Sequence, residues 1–243
     1  MLTEAQILSF KREGVLILHD VFTDADIEAA KRSVLNYFCN PGSASEWFLS
    51  LSTHSIHGCI AKPSLSPLGH QKLAQIYHAL HRQAIWEGED ELIIRPHEAG
   101  VPWCGARAPH LDFPINRPLR TLANNVIYLT DVRSQGGAFM YWSGSHRVAW
   151  DYFRKYPDDY LAQGESSQDQ VFSRILSHIE NEPVEFLGKA GDVLIWNSLL
   201  LHSASINTRE ETRIASFGRW GEVYEGKPYD FSRDIWSYWD FAV

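Results

Sequence analysis

The segment Pro109-His110-Leu111-Asp112-Phe113-Pro114 sets an imidazole and a carboxylate two residues apart. On extended backbone, residues i and i+2 point to the same face, so His110 and Asp112 can converge on one ion. Two ligands are too few for a metal site, and a third must come from elsewhere in the chain. His202 is the best candidate, a polar ring within the apolar run Leu199-Leu200-Leu201-His202-Ser203-Ala204. Burying such a ring without a partner costs free energy. Two histidines and one carboxylate form a facial triad, the arrangement of non-haem Fe(II) oxygenases, and it leaves three coordination positions open. A bidentate 2-oxoacid takes two of them and O2 the third. The far carboxylate of 2-oxoglutarate then needs a cation. Arg213 stands eleven residues after His202 on the next predicted strand, and its planar fork matches a carboxylate bidentately.

The elements that must position these groups follow from patterning. Thr3 can cap a helix running to about Arg12, and Gly14 ends it. Val15 to Leu18 reads as a short buried strand. Thr23 opens a second helix with Asp24 and Asp26 in its first turn and Ile27, Ala30, Val34 and Phe38 as the inward stripe. Residues 41–66 are rich in Ser, Pro and Gly and read as a long loop, and a third helix covers roughly Pro67 to Trp86. From there strand-like runs dominate: Glu91–Pro96, Leu122–Val132, Ala138–Trp142, Val184–Leu187, Asp192–Trp196, Leu200–Ile206 and Thr212–Trp220. Turn chemistry separates several of them, as at Gln135-Gly136-Gly137 and Ser143-Gly144-Ser145. A more helical insert lies between Val148 and Ser177, interrupted near Pro157. Helices followed by many short strands predict one α+β domain, mainly β, built around a sandwich or barrel.

Composition narrows the function classes. At 243 residues the chain suits one large domain or two small ones. Area scaling has a chain of this size burying about 73% of its unfolded surface, enough for a core without staples. Lys and Arg number 22 against 30 Asp and Glu, a net charge of −8. No Lys/Arg run exceeds two residues, which argues against nucleic acid and anionic membrane as partners. Cys39, Cys59 and Cys104 lie far apart without a CxxC pair, neither a disulfide framework nor a zinc ribbon. No stretch approaches the roughly 18 apolar residues of a membrane span, and the N-terminus has no continuous apolar leader. The expectation is a soluble, cytoplasmic protein. Its 11 His and 9 Trp suit metal or small-ligand binding.

The ordered set of motifs resembles the phytanoyl-CoA dioxygenase-like family of Fe(II)/2-oxoglutarate oxygenases. The resemblance runs from Phe10-Lys11-Arg12-Glu13-Gly14-Val15 and Val21-Phe22 through His110-Leu111-Asp112 to Tyr128-Leu129-Thr130-Asp131. It continues through Gly136-Gly137-Ala138-Phe139, Ser143-Gly144-Ser145-His146, Gly191-Asp192-Val193 and His202 to Asn207 and Arg213. It implies a double-stranded β-helix, the jelly-roll or cupin-like core, with N-terminal helices packed on it. The implied layout is one domain over 1–243: a helical part at 1–90, the β-helix core at 91–220 with an insert at about 148–180, and a C-terminal extension at 221–243. It also implies that His110, Asp112 and His202 bind Fe(II) and that Arg213 anchors the far carboxylate of 2-oxoglutarate. Tyr128 matches a position where the family often sets an aromatic residue near the cosubstrate. One departure stands out: the family frequently has Ser two residues after the distal His, and here that residue is Ala204. Halogenating relatives replace the carboxylate of the triad with Ala or Gly, so Asp112 favours oxygen insertion.

The implied reaction is oxidation, chiefly hydroxylation, of a small-molecule metabolite with release of succinate and CO2. Desaturation or another oxidation is the variant, and neither substrate nor oligomeric state is readable. Trp103, Arg107 and Trp142 are candidate pocket residues by proximity in sequence, and Arg219 by its place at the end of the Arg213 strand. Acyl-CoA is not favoured: Asp240-Phe241-Ala242-Val243 is not a peroxisomal signal, and no basic cluster suits a CoA phosphate. Two rival readings are a non-redox cupin-like metal protein or isomerase, which has no need of Arg213, and a catalytically silent ligand-binding member. Other polar residues have structural readings. His146 follows a turn and is expected to bond the backbone. His54, His57 and Cys59 fit no standard metal spacing. His78 and His81 read as a solvated helix face, and Trp196 as core.

Overall fold

The computed structural model describes residues 2–39, 56–60, 70–112, 119–160, 165–224, 226 and 229–242. Among these residues nine strands form two antiparallel sheets: β1 (Val15–Leu18), β2 (Ile56–Ile60), β3 (Ile85–Arg95), β4 (Leu119–Tyr128), β5 (Phe139–Tyr141), β6 (Val184–Glu185), β7 (Val193–Asn197), β8 (His202–Ala204) and β9 (Arg213–Val223). The larger sheet runs β1-β7-β4-β9-β3-β2 and the smaller β6-β5-β8. Helices α1 (Glu4–Glu13), α2 (Asp24–Cys39) and α3 (His70–Leu80) precede most of the strands, and α4 (Ser145–Lys155), α5 (Pro157–Tyr160) and α6 (Glu165–Leu176) form the insert. The expected α+β, mainly β jelly-roll architecture is present. Among the described residues no helix is long and apolar enough to cross a membrane.

Strands β4 and β7 are buried on both faces and sort their side chains by the two-residue period. Ala123 and Ile127 on β4, Val193 and Ile195 on β7, Leu92 and Ile94 on β3 and Trp220 on β9 join Ile7, Phe10, Leu73, Tyr77 and Leu80 in one apolar cluster. That cluster seats the N-terminal helices on the outer face of the large sheet. The alternate residues Val126, Tyr128, Leu194, Trp196 and Ala215 meet Phe139, Tyr141, Phe186 and Leu200 between the sheets. A third cluster joins the insert (Trp150, Phe153, Val171, Phe172, Ile175) to Leu199, Leu201 and the C-terminal Tyr229, Phe231 and Ile235.

Local chemistry sets several boundaries. Thr3 caps α1 as expected, and the structure adds Gln6 to it in a reciprocal capping box. Gly14 ends the helix at φ 77°, and a Cβ there would lie 2.4 Å from Nδ1 of His146 and 2.7 Å from Leu200 Cδ1. The chain turns there into β1 against the packed core, which only glycine permits. Pro157 separates α4 from α5.

Three expectations need correction. The third helix stops at Leu80 rather than Trp86: Ile85 and Trp86 begin β3, paired with Gly221 and Trp220. The span 41–66 contains β2, whose partner β3 supplies the pairing its short sequence does not advertise. His81 is buried, because the C-terminal segment crosses α3 there, and its Nδ1 accepts the backbone N–H of Asp240 at 3.0 Å. His54 lies outside the described residues, and His57 and Cys59 fall on β2.

Asp192 ties the start of β7 to the chain after β1. Its carboxylate accepts N–H groups of Lys189 at 3.0 Å and Asp20 at 3.0 Å and contacts Nδ1 of His19 at 2.9 Å. Burial raises its pKa, but these donors outweigh burial and hold it below the usual carboxylate value. A lowered native pKa contributes stability above the unfolded value and loses it as pH falls through the native one. Asp192→Ala is therefore expected to cost about 2–3 kcal/mol in urea unfolding at pH 7. The gap between wild type and variant should narrow in the acid range, below about pH 4.

Candidate metal centre

His110 and His202 face each other in an isolated antiparallel bridge. His110 N–H donates to the His202 carbonyl at 2.9 Å and His202 N–H to the His110 carbonyl at 3.0 Å. Directly opposed residues send their side chains to one face, and the two rings come to 4.3 Å between centroids. Asp112, two residues on, joins them. Its carboxylate oxygens lie 3.8 Å from Nε2 of His110 and 3.3 Å from Nε2 of His202. One potential ligand atom from each residue falls within 4.8 Å of the others, as close as one ion requires.

Both rings have their other nitrogen occupied. Nδ1 of His110 donates to the Ala108 carbonyl at 2.8 Å and Nδ1 of His202 to the Leu200 carbonyl at 2.9 Å. That tautomer frees each Nε2 lone pair for a metal and fixes the ring plane. Burial and the neighbouring His202 push the His110 pKa down, which favours the neutral ring a metal needs. At Asp112 burial acts to raise the pKa, but His202, His110 and Arg219 together hold it well below the usual carboxylate range.

The triad opens onto a cavity of about 240 Å³. Its floor comes from alternate residues of three strands: Glu91, Ile93 and Arg95 on β3, Asn124 on β4, and Arg213, Phe217 and Arg219 on β9. At one end Arg213 and Arg95 are register partners. At the other, Asn124 pairs in register with both Arg219 and Trp196, and Arg219 stands 3.6 Å from Glu91. Phe139 and Trp196 close the apolar middle.

Arg213 is 2% exposed, and none of its three guanidinium nitrogens has a hydrogen-bond partner. Burial and the nearby Arg95 lower its pKa to about 9, partly opposed by Tyr128, so it stays charged at neutral pH. A buried cation without a counterion is costly, and a bound anion would relieve that cost. Asn124, 1% exposed, likewise has neither amide atom bonded.

Of the residues singled out in the sequence, His110, Asp112, His202, Arg213 and Arg219 share this cavity. Tyr128 lies beneath it: its hydroxyl donates to the Phe186 carbonyl at 2.9 Å and accepts the Phe139 N–H at 3.0 Å, and its ring stacks on Phe186. Three candidates do not reach the cavity. The Arg107 guanidinium turns to buried Glu98 at 3.4 Å, Trp142 packs among the insert's aromatics, and Trp103 is 36% exposed on a loop. Trp196 is core as expected but also walls the cavity. His146 is buried with Nε2 on the Lys11 carbonyl at 3.1 Å, and burial pushes its pKa to about 4. Glu91, Arg95 and Asn124 were missed, although each is a polar residue at the alternate position of a strand.

A family model described as phytanoyl-CoA dioxygenase (PhyH) matches residues 10–215. The chain belongs to this family. It is therefore an enzyme of the PhyH class, as its sequence implied. A search of curated proteins returns no match. Among solved structures, the PhyH chain resembles the epimerase SnoN, in complex with Fe3+, alpha ketoglutarate and nogalamycin RO, at 16% identity and TM-score 0.66, over 90% of this chain and 83% of that one. It resembles the carbocyclase SnoK from nogalamycin biosynthesis at 17% identity and TM-score 0.64, over 91% and 84%. HygX from Streptomyces hygroscopicus, with nickel, 2-oxoglutarate and hygromycin B bound, gives 17% and 0.58 over 92% and 88%. At these identities the likeness establishes the shared jelly-roll fold.

The triad predicts its own test. Removing a ligand atom, by His202→Ala or Asp112→Ala, should weaken Co(II) binding by more than the roughly 10–100-fold that loss of an outer partner costs. His78→Ala on α3 should leave it unchanged. Titration of the metal-free protein, followed by visible absorption, reads both.

Proposed function

We propose that this PhyH-family enzyme is a non-haem Fe(II)- and 2-oxoglutarate-dependent oxygenase that hydroxylates a small-molecule metabolite, releasing succinate and CO2. The observation that carries the reading is the buried, unpartnered Arg213 in the same cavity as the His110-Asp112-His202 triad. In a non-redox cupin-like metal protein that cation would be buried with nothing to bind. An oxo acid with a distal carboxylate satisfies it while its other end lies at the triad.

The donor set of two neutral imidazoles and one carboxylate fits Fe(II) and leaves open positions for an oxo acid and O2. Iron bound there would supply the redox chemistry that couples decarboxylation of 2-oxoglutarate to attack on a C–H bond. The chain's own residues bind and orient. Arg213 holds the distal carboxylate, and Tyr128 braces the floor under it through its two backbone hydrogen bonds. Phe139, Trp196, Phe217 and Ile93 line the middle and keep water from the reacting centre. Asn124, Glu91 and Arg219 form a polar wall on the opposite side, suited to orient a substrate that offers both hydrogen-bond donors and acceptors. Small molecules in the SnoN and HygX complexes, nogalamycin RO and hygromycin B, support a metabolite as the substrate class. Solved structures of this fold include a carbocyclase and an epimerase; the intact Asp112 argues against halogenation, and hydroxylation is the oxidation proposed among those that remain.

The test is anaerobic. Metal-free protein is titrated with Fe(II), then with 2-oxoglutarate, watching for the weak visible charge-transfer band of the chelate. The band should form in wild type and vanish in His202→Ala. Arg213→Ala should raise the 2-oxoglutarate concentration needed by at least about tenfold, the smaller end of a lost charge-assisted pair. Metal binding without any band would replace this reading with the non-redox one.

A further inference from the structure

Residue 204 lies on the cavity wall, and there the chain carries a methyl group. The serines on either side cannot supply a hydroxyl in its place. Ser203 Oγ accepts the backbone N–H groups of Arg107 at 3.0 Å and Ala108 at 3.1 Å and donates to the Ala204 carbonyl at 3.2 Å. It is committed to holding the segment that leads to His110. Ser205 Oγ donates to the Ala138 carbonyl at 3.2 Å. Both residues are buried, at 2% and 0% exposure. The serines flanking Ala204 therefore present no free side-chain donor to the cavity.

Arg95 does. It stands directly opposite Arg213 in the β3–β9 register and lines the same cavity. Its Nε is buried without a hydrogen-bond partner. Its placement is built. A Cβ on Gly137, whose φ is 74°, would lie 3.3 Å from Arg95 Cδ and 3.4 Å from Arg95 Cβ, so the missing side chain makes room for the arginine stem. The Asn207 amide donates to the Arg95 carbonyl at 2.9 Å and to the Glu211 carbonyl at 2.8 Å, pinning the end of β3 to the loop before β9. Glu98, the buried carboxylate whose charge Arg95 feels, is already paired with Arg107 at 3.4 Å. Arg95 and Arg107 thus share one carboxylate, and Arg95 and Arg213, the two guanidinium groups that line the cavity, repel each other across the register. An anion between them removes that repulsion and satisfies both.

We propose that Arg95 is the second arm of the cosubstrate clamp, so that Arg95 and Arg213 together hold the distal carboxylate of 2-oxoglutarate where Ala204 offers nothing. The inference rests on the 2-oxoglutarate reading above. It makes the site selective for oxo acids with a second carboxylate. Loss of Arg95 should weaken those acids alone, and a hydroxyl restored at 204 should compensate.

Calorimetric binding to the Zn(II)-loaded protein tests this without turnover, comparing 2-oxoglutarate with 2-oxobutanoate, which lacks the distal carboxylate. Arg95→Met is expected to weaken 2-oxoglutarate by about tenfold to a hundredfold, the range for a lost charge-assisted hydrogen bond. Binding of 2-oxobutanoate and the Tm of the oxo-acid-free protein should hold steady, and adding Ala204→Ser to Arg95→Met should recover part of the lost affinity. Equal 2-oxoglutarate affinity in wild type and Arg95→Met would overturn the proposal. So would a parallel loss for both acids with a lowered Tm, the signature of a structural arginine serving Glu98. Failure of the underlying reading looks different: wild type would not distinguish the two acids, and Arg213→Met would change neither.

Discussion

A strand covered on both faces must serve two layers at once, and that constraint organises this molecule. β9 sends Ile214 and Trp220 to the helices and Arg213, Ala215, Phe217 and Arg219 to the space between the sheets. β3 does the same with Leu92 and Ile94 against Glu91, Ile93 and Arg95. A slip of one residue in either strand would drive guanidinium groups into the helix-packing core and leave apolar side chains on the cavity floor. The outer layer therefore does more than stabilise. By burying Leu92, Ile127, Ile195 and Trp220 against Phe10, Tyr77 and Leu80, it fixes the register on which the cavity's charge distribution depends.

Against that floor, the triad is set by very little backbone. His110 belongs to no long strand; two hydrogen bonds to His202 and the Ser203 hydroxyl under Arg107 and Ala108 hold its segment. β8 itself spans only His202–Ala204, but it is wedged between β5 and the His110 segment. Both imidazoles are oriented by carbonyls two residues before them in their own segments. Orientation thus depends on local chain geometry and not on a distant partner.

The triad was legible in the sequence because its signal is one of residue type. A carboxylate two residues from a histidine, and a third imidazole within an apolar run, are conspicuous wherever the chain goes. The Thr3 cap, the break at Pro157 and the helix-then-strand order are equally local. Arg95 and Asn124 were not legible. Each is one polar residue in a strand, and its meaning comes from strands far away in sequence that pair with it: Arg95 from Arg213, Asn124 from Trp196 and Arg219. β2 and the start of β3 were hidden for the same reason, since a five-residue segment and the pair Ile85-Trp86 become strands through partners. His81 read as solvated only because the segment ending at Ala242 that covers it is remote in the chain. Proximity in sequence misled in the opposite sense for Arg107 and Trp142, which neighbour the site along the chain but turn away from it.

The charge layout explains why such a cavity can be open and still stable. A buried guanidinium without a partner costs several kcal/mol in principle, and Arg213 is one, with the unpartnered Nε of part-buried Arg95 opposite it. That cost is met by the three apolar clusters that hold the surrounding layers together. Glu98 neutralises part of the excess through Arg107 and by its field on Arg95. What remains is positive charge at one end of the floor, a carboxylate and two imidazoles above it, and a Glu91–Arg219 pair with an unbonded amide at the other end. Under the proposed function an anionic cosubstrate would complete the first end, and a polar small molecule the second. Binding energy from both ends falls on ligands held across an apolar middle, where water is scarce and a reacting group meets the triad in one orientation.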